Sequence, residues 1–345
     1  MKITIAACLS AVMAAACTEP ESSLPDWPWT DPEEEVIPEQ KPDPNQKYVD
    51  AGWVNVQDQF GELPEHINVY KAPSELQGKQ AVAYIAVADM ADADWDVWSV
   101  KADDSYKTSD SYKTPSEVYA DHECPVVING GYFFYEGANY TSSLAVSGGK
   151  VLAYNINYAS EDWVTVYSPT RAAFLQKKDG TFDACWTYWT GPKHFTYQIP
   201  ADNSYDETPK PVPSDSYPEK AVEFQAETAI GGGPVLINAG RFADTWSEEM
   251  FDVGGVNPTS DNPRTAIGVT ADRKLVFFVC EGRYQTEGVS GLSTEDVANV
   301  LLDLECVEAI NLDGGGSSCM LVNGKETIKV SDGKQRAVAS AVMLR

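Results

Sequence analysis

The stretch Ala309-Ile310-Asn311-Leu312-Asp313-Gly314-Gly315-Gly316-Ser317-Ser318 decides the reading of this chain. Extended back to Val307, its first half is a short apolar run that reads as a buried strand. It then turns polar within one residue: a carboxylate, three glycines, two hydroxyls. Three other segments repeat the design of an apolar strand ending in glycines and polar groups. They are Ile128-Asn129-Gly130-Gly131, Ile230-Gly231-Gly232-Gly233-Pro234 and Cys280-Glu281-Gly282-Arg283. Glycines let a backbone approach a ligand closely, and bare N–H groups in such turns can form an anion-binding nest. Gly-rich turns are common in β proteins, so each segment alone says little. Asp313–Ser318 lacks the Gly-Lys-Ser/Thr ending of a nucleotide P-loop. Glu281 and Asp313 each end an apolar strand, where a charge is costly unless the site is open or paired. Arg264 and Arg283 are their candidate partners, and two salt bridges that merely lock a sheet are the plain alternative.

Working outward, short apolar runs alternate with turn clusters from about Tyr48 to Arg345. Ala81–Ala88, Trp95–Val100, Val126–Ile128, Val164–Tyr167, Ala172–Leu175, Arg264–Val269, Leu275–Cys280, Met320–Val322, Thr327–Val330 and Ala337–Leu344 read as strands. Helices are few. One starts near Pro115. Another is capped by Ser293 with Asp296 three residues on, and carries Val297, Val300, Leu301 and Leu304 at helical spacing. The expected class is α+β, a mixed and mostly antiparallel sheet core with few helices. Residues 176–220, rich in Pro, Trp and Tyr, read as a loop-rich insertion whose aromatics either stack on sugars or staple the loop to the body.

The N-terminus reads as an address. Lys2, the apolar run Ile3–Ala16 and the small residues Met13-Ala14-Ala15-Ala16 before Cys17 describe a signal peptide over 1–16. Cys17 after small residues resembles a bacterial lipobox, which predicts lipidation at Cys17. An ordinary secretory signal is the alternative. Residues 17–47, with repeated prolines and Glu33-Glu34-Glu35, read as a tether that holds a domain over 48–345 away from a membrane. The expected location is the bacterial cell envelope, periplasmic or surface-exposed. No run of about 18 apolar residues occurs, so a spanning helix is not expected. With 43% hydrophobic and 11% aromatic residues, the chain is not a disordered polymer. Its 25 Lys+Arg against 52 Asp+Glu, net −27, argue against a nucleic-acid partner. Five cysteines remain after Cys8 and Cys17, none in CxxC spacing, so a zinc cluster is disfavoured and buried thiols are expected.

Five motifs in this order, Asn129-Gly130-Gly131-Tyr132-Phe133, Gly231-Gly232-Gly233-Pro234, Asn262-Pro263-Arg264-Thr265-Ala266-Ile267-Gly268, Glu281-Gly282-Arg283 and Ala309–Ser318, closely resemble the phosphodiester glycosidase family over roughly residues 80–345. The resemblance implies cleavage between a sugar's anomeric carbon and a phosphodiester oxygen, releasing free sugar and a phosphomonoester, without a cofactor. Phosphate leaves readily, so stabilising its charge matters more than protonating it. Within the resemblance, Arg264 and Arg283 would contact phosphate bidentately, and Gly314, Gly315, Gly316, Ser317 and Ser318 would add donors. Asp313 first, and Glu281 second, would face the oxocarbenium-like transition state. Asn129, Asn311, Gly130, Gly131, Gly232, Gly233 and Thr265 would shape the sugar site. Glu281 stands where Asp is commoner before Gly-Arg, and Cys319 where Thr or Ala is more usual.

Two other functions compete. One is a non-catalytic surface lipoprotein that binds glycan through the 176–220 aromatics. The other is a calcium or magnesium hydrolase using Asp313 and Glu281. His66, His122 and His194 lie in no motif, so a Ser-His-Asp hydrolase built on Ser317 lacks its base.

Overall fold

Leu275–Cys280 is apolar at every position, which suits a strand buried on both faces. The structure, a computed structural model describing residues 43–103, 105–134, 139–251 and 256–345, places it at the middle of an eight-stranded sheet. Lys274–Cys280 pairs with Ala83–Asp89 on one side and Arg264–Thr270 on the other. Ile67–Lys71 and Val54–Asn55 extend one flank. Cys306–Asn311, Val235–Asn238 and Arg241–Phe242 extend the other. Side chains alternate between faces. Leu275, Phe277 and Val279 join one core cluster, and Val276, Phe278 and Cys280 join a second.

The first core lies between three sheets. A seven-stranded sheet centred on Arg171–Gln176 contributes Phe174 and Trp186, and a five-stranded sheet contributes Ile128 and Val342. The second core lies on the far face of the large sheet, under the helix Thr294–Asp303 and Tyr48. That helix starts at the expected cap: the Asp296 N–H donates to Ser293 Oγ, and its carboxylate accepts the Ser293 N–H at 2.7 Å. The helix Pro115–His122 begins at a second such box, on Thr114 and Glu117. The α+β class holds, and every described strand pairing is antiparallel.

Several expectations change. Val164–Tyr167 forms no strand. Asp162 Oδ1 accepts the N–H groups of Val164 and Thr165, diverting the backbone into a turn, and Val164 is 83% exposed. Thr327–Val330 is also not a strand, although Ile328 and Val330 are buried as plugs in the core. Residues 176–220 are less loop-like than expected, because Phe182–Trp189 and His194–Tyr197 are paired strands. Trp186, Tyr188, Trp189 and Tyr197 are buried there, so these rings pack the body rather than offer faces to a sugar.

Residues 43–345 form one compact unit. Packing starts several residues before the expected boundary at 48: the Tyr70 hydroxyl donates to Asp43 at 2.6 Å, and Asn45 donates to the same hydroxyl. The signal segment, Cys17 and the tether up to Pro42 lie outside the described residues. No described helix is long and apolar enough to cross a membrane. Cys124, Cys185, Cys280, Cys306 and Cys319 are all buried free thiols.

Candidate active site

The site is built where strand ends from different sheets meet. Val126–Asn129 ends at Asn129, Thr228–Gly231 runs into Gly232, and Cys306–Asn311 runs into Asp313. The antiparallel Arg264–Thr270 begins beside them. Backbone bonds tie the ends together. Leu312 N–H donates to Thr265 O at 2.8 Å, Asp313 N–H to Gly130 O at 3.1 Å, and Gly233 N–H to Asn311 O at 2.7 Å. Such close approach needs missing side chains. A Cβ on Gly131 would stand 2.3 Å from Gly231 O, and one on Gly232 2.4 Å from Asn311 O. These glycines therefore serve strand-end packing, and of Gly130, Gly131, Gly232 and Gly233 only Gly232 reaches the cavity.

That cavity has a volume of about 610 Å³. Asp313, Gly314, Gly315, Gly316, Arg264, Arg283 and Arg336 line it, together with aromatic residues such as Tyr132, Phe251 and Trp163 and with polar residues that include Arg171 and Glu161. Asp313 is half-buried, and its Oδ1 accepts the Gly314 N–H at 2.8 Å. Burial pushes the Asp313 carboxyl up to about 6, with the Ser317 hydroxyl, Arg336, the Gly314 N–H and Arg264 pulling the other way. A carboxyl in that range is mostly ionised at neutral pH and remains a competent base.

Asn129 works beneath Asp313 and not in the cavity. Its Nδ2 donates to the Asp313 carbonyl at 2.7 Å, while its Oδ1 accepts from the Thr265 hydroxyl at 2.7 Å and the Cys319 N–H at 3.1 Å. Asn311 is likewise buried and donates to the Tyr132 hydroxyl, the Gly233 carbonyl and the Leu312 carbonyl. Both asparagines hold the floor rather than meet a ligand. The Tyr132 hydroxyl donates to the Gly233 carbonyl at 2.7 Å, and the ring lines the cavity.

The three arginines differ. Arg264 is 2% exposed, and four of its five N–H groups bond carbonyl oxygens: Leu292, Val256, Asn257 and Ser260. It does not keep the pair of parallel donors that a bidentate phosphate clamp needs, so its place in the site is a latch for the 256–260 wall and a fixed positive charge. Arg283 is exposed, with long contacts to Asn262 Oδ1 (3.4 Å) and Ser331 Oγ (3.5 Å) and Asp332 at 4.0 Å. Its guanidinium lies over Gly315, where a Cβ would come 2.6 Å from Nη2. Arg336 was not legible from any motif. It donates to Asp332 at 2.6 Å and to Ser317 Oγ at 3.3 Å, and lines the cavity beside Asp313. The only sequence signal for it was a basic residue in the polar turn that enters the last strand.

Glu281 is set apart. It is 3% exposed, Oε1 accepts the Lys329 N–H at 2.9 Å, Oε2 has no hydrogen-bond partner among the described residues, and the side chain does not line the cavity. Ser317 and Ser318 are buried behind the glycine turn. His194 stacks on Phe224 at 4.0 Å, and none of the three histidines lines the cavity. Among the described residues, no group of His, Cys, Asp or Glu is arranged to hold a metal ion.

A family model described as phosphodiester glycosidase matches residues 122–345. An uncharacterized SPbeta prophage-derived protein of Bacillus subtilis, YomE, is 39% identical over 83 residues, 24% of this chain and 13% of that protein. Human N-acetylglucosamine-1-phosphodiester alpha-N-acetylglucosaminidase is 41% identical over 97 residues, 28% of this chain and 18% of that protein. The matched stretches thus span less than a fifth of these curated relatives. Among solved structures, the catalytic domain of the zebrafish N-acetylglucosamine-1-phosphodiester alpha-N-acetylglucosaminidase, auto-inhibited by its pro-peptide, superposes with a TM-score of 0.53. It is 20% identical, over 83% of this chain and 85% of that one. A hypothetical protein from Synechocystis also gives 0.53, at 15% identity over 82% of this chain and 64% of that one. At these identities the superpositions show a shared fold. The family match covers well over half of the sequence and includes the Asp313–Ser318 turn, and by it the chain belongs to the phosphodiester glycosidase family.

Proposed function

We propose that the protein hydrolyses the glycosidic bond of a sugar-1-phosphodiester, releasing free sugar and a phosphomonoester. The observation that carries this reading is the juxtaposition of Asp313 with the Gly314–Gly316 turn and the Arg283 and Arg336 guanidiniums on one cavity wall. The phosphodiester oxygen departs with the electron pair of the broken bond, and Arg283 and Arg336 stabilise the charge it gains. Asp313, ionised, faces the positive charge that develops at the anomeric carbon. Arg264 acts through position: it fixes the 256–260 wall and adds its field at Asp313. Water supplies the hydroxyl of the released sugar. Inversion at the anomeric carbon would identify water activated by Asp313, and retention would identify attack by the carboxylate.

The test is incubation with a panel of sugar-1-phosphate methyl diesters. Free sugar plus methyl phosphate is the expected outcome. Release of intact sugar phosphate would instead identify a phosphodiesterase. Binding by Asp313→Asn with no turnover by the unaltered protein would identify a glycan-binding module. The same proposal includes a secretory leader over 1–16 and a lipid on Cys17 that anchors the enzyme at a bacterial envelope. Metabolic labelling with a fatty acid, lost in Cys17→Ser, checks that part.

A further inference from the structure

Resting on that reading of the cavity, we propose that Trp163 is a stacking platform at the cavity mouth for a second, neutral sugar ring. The substrate is then a glycan phosphodiester with at least two rings. Trp163 lines the cavity yet is 85% exposed. Its backbone sits at φ 60°, a left-handed conformation that is unfavourable for a bulky residue. A built turn holds it there. Asp162 accepts the N–H groups of Val164 at 2.8 Å and Thr165 at 2.7 Å, and the Thr165 hydroxyl at 3.0 Å. Among the described residues the indole makes no ring contact and no hydrogen bond. It does not stand alone at the mouth, because Tyr158 (43% exposed) and Phe134 (49% exposed) line the same cavity. Exposed rings gathered along one opening mark a binding surface rather than scattered apolar exposure.

Exposure separates this platform from the chemistry. Asp313 is half-buried beside the glycine turn, whereas Trp163 is 85% exposed. A ring stacked on Trp163 is therefore not the one whose anomeric carbon Asp313 faces. The cavity has the volume of a drug-sized ligand, which leaves room for both rings. Ser160 and Glu161 share the rim. They offer partners to hydroxyl groups, and Glu161 repels a second anionic group, as does the net charge of −27. This favours a neutral sugar over a nucleoside diphosphate.

The test uses Asp313→Asn, expected to bind with turnover strongly reduced, titrated calorimetrically with three probes. These are N-acetylglucosamine-1-phosphate methyl diester, the same sugar phosphate esterified to the 6-hydroxyl of methyl glucoside, and chitobiose-1-phosphate methyl diester. The last two place the second ring across the phosphate or on the first sugar, and so distinguish its source. At least one two-ring probe is expected to bind more tightly than the one-ring probe. Adding Trp163→Ala should weaken that probe about 3- to 10-fold more than the one-ring probe, and Trp163→Phe should restore most of the difference. Equal effects on one-ring and two-ring probes, no effect on either two-ring probe, or no binding of any probe would overturn the platform. Turnover of the methyl diester by the unaltered protein reports separately on the hydrolytic reading.

Discussion

Asp313→Asn should stabilise the protein while sharply lowering its turnover, and the stabilisation should depend on pH. Burial raises the Asp313 carboxyl from 3.8 to about 6 in the folded protein. Below about pH 3 the group is largely neutral, folded or unfolded, and exerts little effect. As pH rises from about 4 to about 6, the unfolded chain releases the proton while the folded chain retains it, so stability falls. Above about pH 7 the loss is complete and constant. A shift of about two units corresponds to about 3 kcal/mol, and partial access to water reduces this to about 1.5–3 kcal/mol. An Asn side chain keeps an acceptor for the Gly314 N–H, which bonds Oδ1 at 2.8 Å, and carries no charge to desolvate. For a chain of this size the gain corresponds to about 3–6 °C in Tm at pH 8, shrinking toward zero at about pH 3. Thermal unfolding of both proteins at the two pH values measures it, alongside hydrolysis of a methyl diester, where a loss of about 10²–10⁴-fold is expected. An Asn variant no more stable at pH 8, or a difference independent of pH, would refute the desolvated carboxylate.

Arg283→Gln and Arg336→Gln should each lower kcat/KM by about 10- to 100-fold through loss of a charge-assisted contact to phosphate. Of the two, Arg336→Gln should also move the acid limb of the pH profile upward, because Arg336, like Arg264, favours the ionised Asp313, and a pH series on both variants checks this. Asn129→Ala removes three buried partners, the Asp313 carbonyl, the Thr265 hydroxyl and the Cys319 N–H, and should cost about 2–4 kcal/mol in urea unfolding. Glu281→Gln should change turnover by no more than a few-fold, since the side chain does not line the cavity; a loss as large as that of Asp313→Asn would place Glu281 in the chemistry.

The parts of this architecture that lie in local pattern could be read from the chain. Leu275–Cys280 shows its central position by unbroken apolarity, and Ser293 with Asp296 marks a helix start that the structure reproduces. The Asp313–Ser318 turn could be read because its residue types are incompatible with a buried strand. What escaped depends on long-range placement. Nothing local separates the cavity-facing Asp313 from Glu281, which also ends a buried strand, because the partners that settle each carboxylate lie elsewhere in the chain. Arg264 and Arg283 look alike in sequence, yet one is consumed by carbonyls contributed by 256–260 and Leu292, while the other is exposed. Val164–Tyr167 misled for a local reason: Asp162 captured two N–H groups that a strand would have paired. The loop-rich reading of 176–220 failed for a global one: Phe182–Trp189 and His194–Tyr197 find strand partners in the seven-stranded sheet, and their aromatics are buried there.

The crossing of strand ends at Gly131 and Gly232 has a practical consequence for engineering. The floor of the site is defined by atoms that are absent, so even a methyl group there collides with main chain that has nowhere to retreat. A library aimed at new specificity would waste its diversity on that floor. The productive targets are the exposed rim residues Tyr158, Glu161 and Trp163, which lie away from the junction that holds the reacting carboxylate in place.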